Sequence, residues 1–312
     1  MLFALLLACP KTPDETALED SEGPVEDPAT VELAGPCPMD TDLGGFSVTA
    51  TDATDVAGTV SNGVVPITIL ENIGTDGDCV LLRRNNPHCE PACDPGQTCD
   101  WEGECIAYPS NQDLGVVTID GLAQPVEMEP VFPGNTYFDT TLPHPAMTPG
   151  ELVTLRMPEG TYGPARMHGV AVDPLTGLAE EWSIEAGVDL ELTWDATVTS
   201  PARSEVWVSV NIDQHGVSPG TLFCTFEDDG AGTVSGALIE QMVSVGVTGF
   251  PSGSIVRRTV DHADAGDGCM DFTVSSRAGV AVDVIGFTPC TSTAECPDGL
   301  VCNTELQICE DP

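Results

Sequence analysis

The stretch Glu205-Val-Trp-Val-Ser-Val-Asn-Ile212 decides how the rest of the chain is read. Val206, Val208, Val210 and Ile212 fall at every second position, with Trp207, Ser209 and Asn211 between them. A two-residue period puts the four aliphatic side chains on one face of an extended strand, whereas a helix would scatter them. The pattern returns at Leu190, Leu192 and Trp194, and again at Val280, Val282 and Val284. Further short runs with strand character lie at 46–51, 65–70, 79–83, 116–119, 152–155, 222–226, 255–260 and 270–274. Residues 235–243 alone have helical spacing. Glycine (32) and proline (26) together make nearly a fifth of the chain and cut it into short strands and turns. The expected fold class is all-β: two antiparallel β-sandwich-like domains with two small disulfide-rich modules.

The 312 residues are long for one domain. A first β domain is expected over 37–120, interrupted by a cysteine-rich insertion at 89–105. A β-sandwich domain follows at 121–287 and a cysteine-rich C-terminal module at 288–312. Within the first domain, Val56-Ala-Gly58-Thr-Val60-Ser-Asn-Gly63 is similar to the opening of transthyretin-like, carboxypeptidase-regulatory modules.

Fifty acidic residues face nine basic ones, for a formal net charge of −41, and Lys11 is the only lysine. Such a surface repels polyanions, so nucleic acid is excluded as a partner, which needs a cationic face. It also keeps the chain soluble and apart from other acidic surfaces.

Cysteine usage sets the compartment. Of thirteen cysteines, eight fall in two clusters: Cys89, Cys93, Cys99 and Cys105, then Cys290, Cys296, Cys302 and Cys309. Both place Pro and Gly between their two middle cysteines, as Cys93-Asp-Pro-Gly-Gln-Thr-Cys99 and Cys296-Pro-Asp-Gly-Leu-Val-Cys302. A piece this small has no core of its own, so crossed disulfides must hold it. The inner spacing of five residues in both clusters does not match the paired C-x2–4-C ligands of zinc knuckles. Of the remaining residues, Cys224 and Cys269 sit in strand-like runs and are expected to pair. That leaves Cys37 and Cys79 to pair by elimination and proximity. The clusters resemble the small cysteine-rich repeats of secreted proteins and surface lipoproteins of the myxobacterial type, which implies an extracytoplasmic module.

The apolar run Met1-Leu-Phe-Ala-Leu-Leu-Leu-Ala8, followed by Cys9, is too short to be a membrane span. Leu6-Leu7-Ala8-Cys9 resembles a bacterial lipobox. That resemblance implies a signal peptide at 1–8, incomplete because no Lys or Arg precedes the apolar run. It also implies a lipid on Cys9 and attachment to the membrane through it, in the cell envelope at the outer membrane or cell surface. Residues 9–36 carry Asp14, Glu15, Glu19, Asp20, Glu22, Glu26, Asp27 and Glu32 against Lys11, with prolines and no apolar period. Such a segment is expected to be a disordered acidic tether.

No catalytic constellation stands out. Gly216-Val-Ser218-Pro-Gly220 has the form G-x-S-x-G, but Pro219 lacks the N–H that would serve an oxyanion, and a strand follows instead of a helix. His88, His144, His168, His215 and His262 form no H-x-x-x-H pattern and read as loop or surface residues. No cofactor is expected; calcium is the better-motivated site idea, set against the reading of the same residues as solvated acidic loops. Asp76 and Asp78, Asp228 and Asp229, and Asp264, Asp267 and Asp271 set hard oxygen ligands in glycine-rich loops. The chain is therefore expected to be a non-enzymatic lipid-anchored surface protein with a structural or binding role toward an extracellular protein or glycan. A calcium-dependent adhesin is the alternative, and an exported hydrolase a remoter one.

Overall fold

In the computed structural model, which describes residues 26–157, 160–199, 202–212 and 220–312, the strands Ser252–Ala265 and Gly268–Val284 pair as one antiparallel hairpin. They have 14 and 17 residues, against an average strand of about five or six. Fully extended, the shorter spans roughly 46 Å.

In chain order the strands are β1 (Asp42–Ala50), β2 (Thr54–Val60), β3 (Glu71–Asp76), β4 (Cys79–Arg83), β5 (Gln97–Cys99) and β6 (Cys105–Ala107). Next come β7 (Val117–Asp120), β8 (Val126–Met128), β9 (Tyr137–Asp139), β10 (Leu152–Met157) and β11 (Ala165–Val170). Then follow β12 (Glu181–Ile184), β13 (Leu190–Thr193), β14 (Glu205–Asn211), β15 (Gly220–Glu227), β16 (Ala231–Val234) and the helix α1 (Gly236–Val245). The long hairpin is β17 and β18, and β19 (Val301–Asn303) and β20 (Ile308–Glu310) close the chain.

One ten-stranded sheet runs β3-β4-β15-β14-β17-β18-β1-β2-β9, with β12 also on β18. Pairing in it is antiparallel except that β1 and β12 lie parallel to β18, each along a different part of the same edge. The sheet β11-β10-β7-β8 covers one end, and β13-β16 with α1 covers the other. In the first core Phe46, Val48, Met270 and Phe272 meet Ile119, Leu155 and Met167. In the second, Val206, Val208, Val210 and Ile255 meet Leu192, Val234, Leu238 and Ile239. The protein is all-β, with two sandwich-like lobes and two small disulfide-rich modules.

The lobes share the hairpin. Val274 belongs to the first core and Ala278 packs on the second. Between them the chain is polar: Ser275 and Ser276 on β18, and Arg257 and Thr259 on β17, are all buried. Arg257 is 1% exposed and pairs with Asp228 at 2.7 Å; it also donates to the carbonyls of Pro174 and Asp195. Asp228 also accepts from Trp194 Nε1 and Ser204 Oγ. Two charges taken out of water need this density of partners, since an unpaired one would cost several kcal/mol.

The expected boundary at 120/121 does not exist. β1, from the first segment, lies against β18, and β4 lies against β15, so residues on both sides of 120 build each core. The run 65–70 is not a strand either: Pro66–Thr68 forms a 3-10 turn, opened by a proline that has no N–H to give a ladder. The helical spacing at 235–243 does give α1, whose first turn is capped by the Ser235 hydroxyl accepting from the Leu238 N–H. Gly58 is dictated by packing, because a Cβ there would stand 2.2 Å from the Phe46 ring.

Six disulfides join the twelve cysteines from Cys37 onward. In the modules the first cysteine bonds the third and the second the fourth: Cys89–Cys99 with Cys93–Cys105, and Cys290–Cys302 with Cys296–Cys309. The other two bridges are Cys37–Cys269 and Cys79–Cys224, not the expected Cys224–Cys269 and Cys37–Cys79. Sheet order explains the correction. β14 and β17 lie between β15, which carries Cys224, and β18, which carries Cys269. That separation is about 14 Å at the usual strand spacing, twice what a disulfide spans. Cys224 instead faces Cys79 directly in the β15–β4 register. Six bridges belong to an oxidising, extracytoplasmic setting, and no helix among the described residues is long and apolar enough to cross a membrane.

Candidate functional site

The polar seam opens into a cleft. The turn between β1 and β2, the loop 144–149 and the segment 172–174 close over β18 to leave a cavity of about 240 Å³. Its walls are apolar, set by Pro145, Pro149, Pro174, Met147 and Val172. Three prolines within the walls supply ring surface without backbone N–H groups. Thr51, Thr54, His144 and Ser276 are the polar lining.

Hydrogen bonding fixes what these groups present. Thr54 is 1% exposed, and its hydroxyl accepts from the Ala146 N–H at 3.3 Å while lying 3.0 Å from His144 Nδ1. The arrangement that strands no buried proton has Thr54 donating to Nδ1, because an unpaired buried donor costs about 1–3 kcal/mol. His144, exposed on the rim, then carries its proton on Nε2 and offers a donor. Ser276, 7% exposed, accepts from the Leu175 N–H at 3.0 Å and keeps its own proton.

No Asp, Glu, Lys or Arg lines this cleft, in a chain with 50 acidic residues. The nearest carboxylate along the chain on the inner side, Asp173, is turned to the loop beyond: it accepts from Thr197 Oγ1, Thr199 Oγ1 and the Thr199 N–H. Burial works against the Asp173 charge, but these bonds outweigh it and hold the carboxyl below its usual range. Asp52, next to Thr51 in sequence, is exposed and is not part of the lining.

A second assembly lies along the hairpin. Residues 26–36, expected as part of a disordered tether, are strapped to the body. Glu26 pairs with Arg166 at 2.9 Å and His168 Nε2 at 3.1 Å. Arg203 donates to the carbonyls of Pro28 and Val31, and the Ala34 N–H donates to Asp261. His262 Nδ1 donates to the Gly35 carbonyl at 2.9 Å, and the Cys37 N–H to Asp271 at 2.7 Å. The strap forms because two of the few arginines and two histidines face it. Burial pushes the Asp271 carboxyl up to about 6, aided by the neighbouring Asp42 and opposed by the Cys37 N–H. Burial lowers the pKa of His168, with Glu26 pulling the other way. His168 is thus interior and not the surface residue expected from sequence.

The carboxylates singled out for calcium do not gather. Asp228 is committed to Arg257, and Asp271 to Cys37. Asp76 ends β3, while Asp264 and Asp267 lie at the tip of the long hairpin. Among the described residues, only cysteines converge closely enough for a shared ion, and those are bonded as disulfides. Cys9, and His215 and Ser218 with the rest of G-x-S-x-G up to Pro219, lie outside the described residues.

No family model matches the chain, and no curated protein does. The solved structure of chicken CNTN1 FN1-FN3 domains is similar over 69% of this chain and 66% of its own, just under two thirds, at 7% identity and a TM-score of 0.18. A superposition that poor lends nothing to the functional reading, which rests on this chain's own geometry.

Proposed function

We propose that this chain is an exported envelope protein, lipid-anchored through Cys9, with a binding or structural role and no catalytic one. The observation that carries the reading is the Cys37–Cys269 bridge. It ties the end of the acidic lead segment to the tip of the hairpin that runs through both cores, so a pull on the lead is delivered to the longest element of the body. The strap continues that attachment back to Glu26. The acidic stretch between Cys9 and Glu26 would then hold the body clear of an acidic membrane surface by like-charge repulsion. A lipid contributes about 0.8 kcal/mol per buried CH₂, so more than one chain is needed for a firm hold.

Mass spectrometry of the N-terminal peptide from membrane-fractionated cells tests this. Acylated Cys9, together with release of a Cys9→Ser variant into the soluble fraction, is the expected result. An unmodified Met1 on membrane-bound material would overturn it.

A further inference from the structure

We propose that the seam cleft is a binding site for a small uncharged ligand that joins an apolar body to a hydrogen-bond-accepting oxygen, the chemistry of an aliphatic amide. The inference rests on the binding role proposed above but not on the lipid.

Size comes first. A cavity near 240 Å³ is smaller than typical drug-sized pockets, so its occupant has on the order of ten heavy atoms. Its body must be apolar, because the walls are proline rings, Met147 and Val172. Its polar atom must accept: Ser276 has a hydroxyl proton without a protein acceptor among the described residues, and His144 presents Nε2–H. Both are donors, Thr54 is used up between His144 and Ala146, and the Thr51 hydroxyl on the rim is left to accept an amide N–H.

Charge then narrows the class. A cation entering would lose its water and meet no carboxylate in the lining. An anion would approach a molecule of net charge −41, and the one buried cation nearby, Arg257, is saturated by Asp228 and backbone carbonyls. A neutral acceptor meets neither penalty.

The test uses three probes that share the leucine side chain, with the full chain: N-acetyl-leucine methylamide (neutral), N-acetyl-leucine (anionic) and leucine methylamide (cationic), followed by ligand-observed saturation-transfer NMR. The neutral probe should bind with a dissociation constant on the order of 1 mM, as its size allows. The two charged probes should bind at least about tenfold more weakly, a difference a single uncompensated charge readily makes. Thr51→Trp, an exposed change on the rim, should plug the cleft and abolish the signal. His144→Phe should weaken the neutral probe severalfold. Equal binding of all three probes, no binding of the neutral one, or binding retained in Thr51→Trp would overturn the assignment. None of these outcomes bears on acylation of Cys9, so the two proposals fail separately.

Discussion

Cys37 is bonded to Cys269 across 232 positions of sequence, and the bond joins the strapped lead segment to the start of β18. It closes the longest loop of the six bridges, so it removes the most entropy from the unfolded chain. Changing both residues to serine is expected to cost about 3–5 kcal/mol and lower the melting temperature by roughly 10 °C. Differential scanning calorimetry of the double variant measures this; an unchanged midpoint would mean the lead segment carries no load.

Asp228 and Arg257 form the one ion pair among the described residues with both partners essentially buried. Asp228→Ala leaves the guanidinium charged and uncompensated and should destabilise by about 3–5 kcal/mol. Replacing both, as Asp228→Leu with Arg257→Met, should recover part of that loss. Denaturant midpoints of the single and double variants decide it, and a double variant worse than the single would contradict the account.

Asp271 holds its proton more tightly folded than unfolded, since its folded carboxyl sits at about 6 and an unfolded one near 3.9. Its favourable contribution is therefore full below the ordinary carboxylate range and is lost as pH rises through 6. Asp271→Asn, which keeps an acceptor for the Cys37 N–H, should melt higher than the parent at pH about 7.5, and the gap should shrink toward pH about 4.5. A gap of the opposite sign, or one that does not change with pH, would count against it.

Arg203 holds the carbonyls of Pro28 and Val31, and its loss should loosen the strap without unfolding the body. Partly exposed contacts of this kind are worth about 1 kcal/mol, a severalfold change in opening. Arg203→Ala should therefore be cut several times faster after Glu32 by a glutamate-specific protease, with an unchanged melting temperature. Equal cleavage rates would mean that Arg203 does not hold the strap.

The local half of this architecture was legible in the residues. Alternation at Val206–Ile212 gave β14 its face, and the Pro–Gly turns between the two middle cysteines of each cluster marked both modules. What hid the rest was non-local. β18 reads as two strands, 270–274 and 280–284, because its apolar alternation stops at Ser275–Gly279. That interruption is where one continuous strand leaves the first core for the second, so a change of neighbours looked like a break in structure. The cleft shares this origin: Thr54, His144 and Ser276 are distant in sequence and meet only because β1 lies beside β18. The disulfide partners of Cys37 and Cys79 could not be deduced for the same reason, since sheet order sets them.

The central claim is that one long hairpin carries both lobes and that sulfur pins the chain to it. Peptide mapping of unreduced protein, alkylated on isolation from the envelope, tests it most directly. The account predicts linked peptides for Cys37 with Cys269 and for Cys79 with Cys224, each in close to full yield. A Cys224–Cys269 peptide, or free alkylated thiols at these four positions, would contradict it.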